Sequence, residues 1–197
     1  MSPINGAIIY LFGYSGCGKL TIARAIQAQM DCIVAHNHLI NNVIFSLIDA
    51  DGKSRLPEAV WRNVKRVRSA AFDTIRDLAK PGRTFVLTNT LLDNDPEDAE
   101  WFQDVVQLAR DRNAFFLPVR LTLSPEELAR RVVSPGRAEQ FKEVDPVAAM
   151  KKANQSQVFR PQGHDVLEME ITTMSAEDVA GRIVERLHHG LARQTYG

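Results

Sequence analysis

A glycine-rich segment near the start of the chain limits its fold more than any other feature. The segment reads Gly13-Tyr14-Ser15-Gly16-Cys17-Gly18-Lys19-Leu20-Thr21. It follows an apolar run of strand length, Ala7–Phe12, and precedes a segment with helical spacing, Ile22–Ile26. This is the GxxxxGK pattern in its strand–loop–helix setting. Because glycines let successive backbone N–H groups point inward and a helix N-terminus adds partial positive charge, the segment predicts a phosphate-binding loop.

Within this loop, Lys19 is the candidate to bridge the β- and γ-phosphates of a nucleoside triphosphate. A plain strand-to-helix turn is the alternative, but it does not account for three glycines and a lysine occurring together between a strand and a helix. Leu20 stands where the pattern has Ser or Thr, whose hydroxyl holds Mg²⁺. Leucine cannot ligate a metal, whereas Thr21 can bond an α-phosphate. We therefore expect Mg²⁺ to be held by phosphates, waters and a carboxylate, or activity to be low.

The rest of the chain alternates short apolar runs with longer helical ones, which predicts an α/β protein with a parallel sheet. Five mostly apolar runs are typical of strands covered on both faces. They are Ala7–Phe12, Cys32–Ala35, Thr84–Thr88, Phe115–Thr122 and Val166–Ile171. Pro118 cannot donate to a sheet ladder, so it predicts a bulge or a late start in the fourth strand.

Helix signals are clearest at Ser124-Pro125, where a capping serine, a proline and a following glutamate predict a helix over Pro125–Val133. Helical spacing of apolar residues predicts the longest helix over Pro57–Leu78. Two regions interrupt the alternation, residues 36–80 and 134–165. We interpret both as insertions over the strand ends, where α/β proteins bind ligands.

Charge and composition exclude several classes of function. The chain has 197 residues with 24 Lys and Arg against 24 Asp and Glu, so its formal net charge is zero. A protein that binds long nucleic acid or an anionic membrane usually has a basic excess, so neither partner is expected. No apolar stretch is long enough to span a bilayer and the N-terminus lacks signal-peptide features, which predicts a cytoplasmic protein. The length predicts one domain, and Cys17 and Cys32 are not expected to form a disulfide.

The chain resembles the small P-loop kinases of the shikimate kinase, gluconate kinase and nucleoside monophosphate kinase group. The resemblance rests on the phosphate loop, on five strands in about 200 residues, and on a strand, capped turn and arginine-bearing helix over Val119–Arg131. It implies a three-layer α/β/α P-loop NTPase core with strand order 2-3-1-4-5. It also implies ATP and Mg²⁺ as cofactors, an acceptor site within residues 36–80 after the second strand, and a lid over residues 134–165.

The candidate phosphate-clamping side chains are Arg130, Arg131 and Arg137, because a guanidinium there can stabilise charge on a transferring phosphoryl group. Their alternative is solvation or pairing with nearby glutamates. His36 and His38 follow the second strand, where the resembled kinases have aspartates. Either histidine could act as a general base, and capping of the following helix is equally compatible with the sequence.

Asp93 lies several residues beyond the third predicted strand and is a weak candidate to hold Mg²⁺ through water. The alternative is that it belongs to the start of the helix at Asp95-Pro96. Arg62 and Arg66 lie four residues apart on one helix face and could meet an anionic acceptor, although a solvated face is the simpler interpretation.

These features predict an ATP-dependent phosphotransferase acting on a small metabolite or nucleotide that the sequence does not identify. One alternative is a nucleotide-binding regulatory module with weak or lost catalysis, favoured by Leu20 and by the missing aspartates. Another is a nucleic-acid end kinase, for which a groove with Arg62, Lys65, Arg66 and Arg68 would have to offset the neutral charge.

Overall fold

The computed structural model describes residues 6–48, 50, 54, 56–134 and 144–195. Five parallel strands form one sheet with the order β2-β3-β1-β4-β5, which confirms the predicted 2-3-1-4-5 order. The strands are β1 (Ala7–Gly13), β2 (Ile33–His36), β3 (Phe85–Asn89), β4 (Phe115–Thr122) and β5 (Leu167–Glu170).

Seven helices are described. They are α1 (Lys19–Gln29), α2 (Asn37–Phe45), α3 (Glu58–Asp77), α4 (Pro96–Asp111), α5 (Pro125–Val132), α6 (Pro146–Gln155) and α7 (Ala176–Thr195). Helix α7 is as long as α3, at 20 residues each, so the expectation that α3 alone is the longest is wrong. In the described part of the chain no helix is both long and apolar enough to cross a bilayer.

The central strand β1 anchors the core because all seven of its residues are buried. Tyr10 and Phe12 from this strand pack against Phe102 of α4, with ring centroids 6.0 and 5.7 Å apart. Each buried aromatic side chain removes a large apolar surface from water, which stabilises the stacking of helix on sheet. The phosphate-loop segment therefore begins at the end of a strand that is buried along its whole length.

Pro118 does not interrupt β4, so the predicted bulge or late start is wrong. The strand runs unbroken, with Pro118 opposite Tyr10 of β1. Phe115 donates its N–H to Gly6 on the β1 side; since backbone groups alternate along a strand, the Pro118 nitrogen points to the β5 side. Pairing with β5 begins only at Val119, opposite Leu167. The missing donor therefore costs no ladder hydrogen bond.

Both predicted insertions contain helices in their described residues. Helices α2 and α3 lie between β2 and β3, within residues 36–80. The region 134–165 contains α6, which the sequence interpretation did not anticipate. Residues 135–143 of that region, including the candidate Arg137, lie outside the described residues.

Candidate functional site

The loop between β1 and α1 is shaped by its glycines. Gly16 and Gly18 have φ angles of 94° and 101°, in the left-handed region that side chains other than glycine rarely adopt. A Cβ on Gly13 would lie 2.5 Å from the carbonyl oxygen of Leu121, so this position requires glycine for close approach of two backbones. Gly18 provides no side-chain cap to α1, and the first turn of that helix has no acidic residue. The N-terminal positive charge of α1 therefore keeps its full effect at the loop.

Lys19 holds its ammonium group at the mouth of the loop. Its Nζ donates to the carbonyl oxygens of Gly13 and Tyr14 at 2.8 and 2.7 Å, and lies 3.4 Å from Oγ1 of Thr90. The Thr90 contact links the loop to the residue after β3, which the sequence interpretation did not single out. These bonds keep the positive charge over the loop, where an incoming phosphate can replace the carbonyl oxygens as acceptor.

A cavity of about 500 Å³ opens over the carboxyl ends of the strands, in front of the loop. This position is the one at which open α/β sheets bind ligands. Its wall includes residues from the P-loop, the β2–α2 junction, the end of β3, helix α5 and the segment after β5. The described lining residues that can bind a ligand through polar or charged side chains are Ser15, Lys19, Thr21, Arg24, His36, Asn37, His38, Thr88, Asn89, Thr90, Arg131, Ser134 and Ser175.

Not every predicted loop residue faces this cavity. Ser15, Gly16, Gly18, Lys19, Leu20 and Thr21 line it. Gly13, Tyr14 and Cys17 do not line it. The Tyr14 hydroxyl donates instead to the carbonyl oxygen of Ser156 at 2.8 Å, which ties the loop to the segment after α6. Cys17 is fully buried and its thiol is free, in agreement with the expectation of no disulfide.

The described lining of the cavity includes no aspartate or glutamate. Leu20 lines it at the position where the resembled kinases place a metal-binding hydroxyl, and the other oxygen donors are the neutral groups of residues such as Asn37, Asn89 and Thr90. Since Mg²⁺ is held in such sites through carboxylates and phosphates, the described donor set does not fit a resident Mg²⁺. Among the residues that the structure describes, there is no group of three His, Cys, Asp or Glu side chains that could bind a metal.

Asp93, the weak candidate to hold Mg²⁺ through water, bonds to another part of the fold. Its carboxylate accepts the N–H of Gln157 at 3.0 Å and its own N–H donates to the Gln157 carbonyl at 2.9 Å. The two residues flank the antiparallel bridge between Leu92 and Val158. Asp93 thus joins the β3–α4 connection to the segment after α6 and does not line the cavity.

His36 lines the cavity and caps α2. Its Nδ1 accepts the N–H of Leu39 at 3.2 Å, which is the capping alternative that the sequence left open. Since a backbone N–H can only donate, Nδ1 must have its lone pair, and the neutral ring has its proton on Nε2. Neutral His36 is therefore a hydrogen-bond donor through Nε2 and not a proton acceptor there.

His38 also lines the cavity, and its contact with Asn42 favours the opposite tautomer. Its Nδ1 lies 3.3 Å from the amide oxygen Oδ1 of Asn42, one turn later on α2. With the amide oxygen as acceptor, Nδ1 donates, and the lone pair of the neutral ring is on Nε2. Of the two histidines, His38 is consequently the one whose Nε2 can take a proton.

The neighbouring arginines of α5 occupy different environments. The Arg131 side chain is 20% exposed and contacts three parts of the fold. Its Nε donates to Glu127 at 2.6 Å, Nη1 to the carbonyl of Cys17 at 2.9 Å, and Nη2 to the carbonyl of Ile171 at 2.9 Å. Arg131 therefore braces the phosphate loop against α5 and the end of β5, while its guanidinium lines the cavity.

Arg130 is 74% exposed and makes a bidentate pair with Glu127. It is not among the residues that line the cavity. Hydrogen bonds from Arg130 and then from Arg131 lower the pKa of Glu127 to about 2. The shared carboxylate thus remains ionised at neutral pH and holds both guanidinium groups on one side of α5.

The sequence interpretation named Arg68 only as part of a nucleic-acid groove and did not anticipate that its side chain is buried. It pairs with Asp104 and lies over the Trp101 ring, with Cζ 3.1 Å from the ring centroid. Burial lowers the pKa of Arg68 to about 10. Its helical spacing from buried Val60 and Val64 was the available signal, because a charged residue on an apolar stripe indicates a buried partner.

Arg68 lines a second, small cavity of about 20 Å³. This cavity shares Asn37, Thr88 and Asn89 with the main one. The alternative candidates Arg62 and Arg66 line neither cavity. They bond Glu58 and Asn63 on their own helix at 2.7 and 3.2 Å, as expected of a solvated face.

Comparison with known proteins agrees with this fold. The sequence matches the AAA_33 family, described as an AAA domain, over residues 8–162. No curated protein matches. A sugar kinase from Janibacter sp. HTCC2649 is similar in structure with a TM-score of 0.63 at 14% identity, covering 93% of this chain and 95% of that one. A gluconokinase from Sinorhizobium meliloti has a TM-score of 0.60 at 14% identity, covering 98% and 95%.

A shikimate kinase from Acinetobacter baumannii, solved with shikimate, has a TM-score of 0.54 at 16% identity and covers 93% of this chain and 94% of that one. At these identities the likeness extends to the fold. The expected P-loop kinase fold is confirmed.

Proposed function

Because the chain belongs to the AAA_33 family, we propose that it is a P-loop phosphotransferase that moves the γ-phosphoryl group of ATP to a small metabolite or nucleotide. The observation that supports this most is the cavity itself. It joins the phosphate loop and Lys19 to a cluster of polar side chains at the ends of β2 and β3. Donor and acceptor can therefore meet in one cavity, as in-line transfer requires.

At the donor end, the loop N–H groups and the α1 N-terminus bind the phosphates, and Lys19 exchanges its loop carbonyls for phosphate oxygens. Arg131 keeps its bond to the Cys17 carbonyl and lies beside the loop: a Cβ on Gly18 would be 3.6 Å from its Nη1. Charge that develops on the transferred group is thereby met by fixed cations. Arg130 and Arg137 remain candidates for closure over the nucleotide.

At the acceptor end, the hydroxyl oxygen of the substrate attacks the γ-phosphorus while the bond to the β–γ bridging oxygen breaks and ADP departs. The hydroxyl proton passes to Nε2 of His38 and then to solvent. His36 donates from Nε2 and orients the acceptor or the γ-phosphate. Asn37, Thr88 and Asn89 supply the neutral polar contacts, and their continuity with the Arg68 cavity favours a small acceptor.

The test is transfer of labelled γ-phosphate from ATP to a panel of sugars, sugar acids, shikimate, nucleosides and nucleotides. We expect one chemical class to be labelled, and no labelling with Lys19→Ala. Absence of transfer to every class, with ATP binding confirmed by calorimetry, would contradict the proposal. That result would favour a nucleotide-binding module without transfer activity, for which Leu20 is the supporting observation.

The assignment of the histidines is tested on the labelled acceptor. General-base loss typically costs about 10²–10⁴-fold in kcat, so we expect His38→Gln to lower kcat in that range. His36→Asn is the matched comparison because asparagine can still cap α2, and its effect on kcat should be smaller. Equal effects of the two substitutions would refute the tautomer argument.

A further inference from the structure

The residues around the phosphate loop carry an excess of positive charge. Three permanent cations, Lys19, Arg24 and Arg131, line the cavity together with two histidines, and its described lining residues contain no carboxylate. The first turn of α1 also lacks an acidic residue. Glu127 pairs with Arg131 from outside the cavity, but the described lining itself carries no carboxylate to offset the positive potential at the loop.

At position 20, leucine replaces the residue whose hydroxyl usually binds the divalent ion of the nucleotide. Leu20 lines the cavity with a hydrocarbon side chain. The nearby hydroxyl of Thr88 already accepts the N–H of Asn37 at 3.2 Å, and that of Thr90 lies 3.4 Å from the Lys19 ammonium group. A divalent cation placed among these groups would face fixed positive charges and would meet only neutral protein oxygens.

We propose that this site binds the nucleoside triphosphate without requiring a divalent cation, and that its own cations provide the charge compensation that Mg²⁺ provides in related folds. Mg²⁺ cancels about half of the triphosphate's negative charge, so it weakens the attraction between the nucleotide and a cationic cavity. Metal-free ATP is therefore bound at least as tightly as its Mg²⁺ complex. This inference rests on the proposed function only in taking ATP as the ligand.

The experiment is calorimetric titration of the full chain with ATP, once in EDTA and once in excess Mg²⁺, at equal ionic strength. We expect the Kd measured in EDTA to be equal to or lower than the Kd measured in Mg²⁺, with a tolerance of about threefold. A Kd that rises by about tenfold or more in EDTA would overturn the inference and leave the proposed function standing. Absence of ATP binding in both buffers would overturn both.

Two substitutions at one position isolate the missing hydroxyl. We expect Leu20→Ser to bind Mg²⁺-ATP about tenfold more tightly relative to metal-free ATP than the wild type does. Leu20→Ala, which opens the same space without an oxygen, should keep the wild-type ratio. An unchanged ratio in both variants would count against the role of position 20. Thermal melting of each variant shows that the comparison is between folded proteins.

The cations are tested through Arg24, which is exposed and lines the cavity. Arg24→Gln should weaken binding of metal-free ATP more than binding of Mg²⁺-ATP, because the more highly charged ligand loses more on removal of a cation. Arg110→Gln, on the exposed side of α4, is the matched control and should change neither Kd. Equal weakening of both nucleotide forms by Arg24→Gln would contradict the charge argument.

Discussion

Substitution of Arg131 by lysine tests whether this side chain braces the phosphate loop. The guanidinium makes hydrogen bonds of 2.6, 2.9 and 2.9 Å to Glu127, Cys17 and Ile171, in three different directions. A lysine ammonium at the end of a flexible chain can reach one of these sites, so two bonds are lost. At about 1 kcal/mol net for each bond, the loss is about 2 kcal/mol, which lowers Tm by about 4–8 °C in a chain of this length.

Arg130→Lys is the matched control, because it makes the same change one position earlier on the same helix. Its pair with Glu127 is exposed, and exposed pairs typically contribute less than about 1 kcal/mol. We expect its Tm to fall by less than about 2–4 °C. Thermal unfolding followed by circular dichroism measures both variants. Equal shifts for the two, or no shift for Arg131→Lys, would refute the brace.

Two further predictions concern stability away from the loop. Burial raises the pKa of Asp98 to about 6 from 3.8, so stability present below pH 3.8 is lost as pH rises through 6. We expect Asp98→Asn to raise the free energy of unfolding relative to wild type by about 1 kcal/mol at pH 8, after solvent screening, and to give no gain at pH 3.5; a gain that does not depend on pH would contradict this. On α7, a Cβ on Gly181 meets nothing closer than 4.0 Å, whereas a Cβ on Gly190 would lie 2.2 Å from the Phe115 ring. Urea unfolding should show Gly181→Ala more stable by about 0.5–1 kcal/mol and Gly190→Ala less stable by about 1–3 kcal/mol, and the same sign for both would refute the packing argument.

The strands were predictable because their signals are local. Each lies within one or two residues of the apolar run that predicted it, and β4 matches the predicted bounds, Phe115–Thr122. Helix α5 was predictable for the same reason, since Ser124 caps it through its Oγ as expected. Helix α6 was missed although Asp145-Pro146 repeats the Asp-Pro start of α4. Its short sequence has Ala149 as its buried residue and lacks the apolar stripe on which the interpretation relied.

The site was predictable only where one segment forms it. The candidate anion site of the loop from Gly13 to Thr21 is formed by the loop's own backbone, so its sequence sufficed to predict it. Arg130 and Arg131 are adjacent on α5, and the one-residue step between them decides which side chain faces the loop. The carbonyl groups that bind Arg131 come from distant parts of the chain. The burial of Arg68 depends likewise on Trp101 and on a carboxylate of α4.

The zero net charge of the chain conceals a strongly unequal distribution. Carboxylates that balance the cations of the chain lie elsewhere: Glu127 pairs with arginines behind the loop and Asp93 bonds the segment after α6. The described lining of the cavity is thereby left cationic, and none of its groups except the histidines can accept a proton near neutral pH. Besides the phosphate oxygens of a bound nucleotide and water, the histidines are therefore the only groups of the described lining that can take a proton from an acceptor hydroxyl. That constraint is why the tautomer of His38, set by Asn42 on the same helix, bears directly on whether the cavity can support transfer.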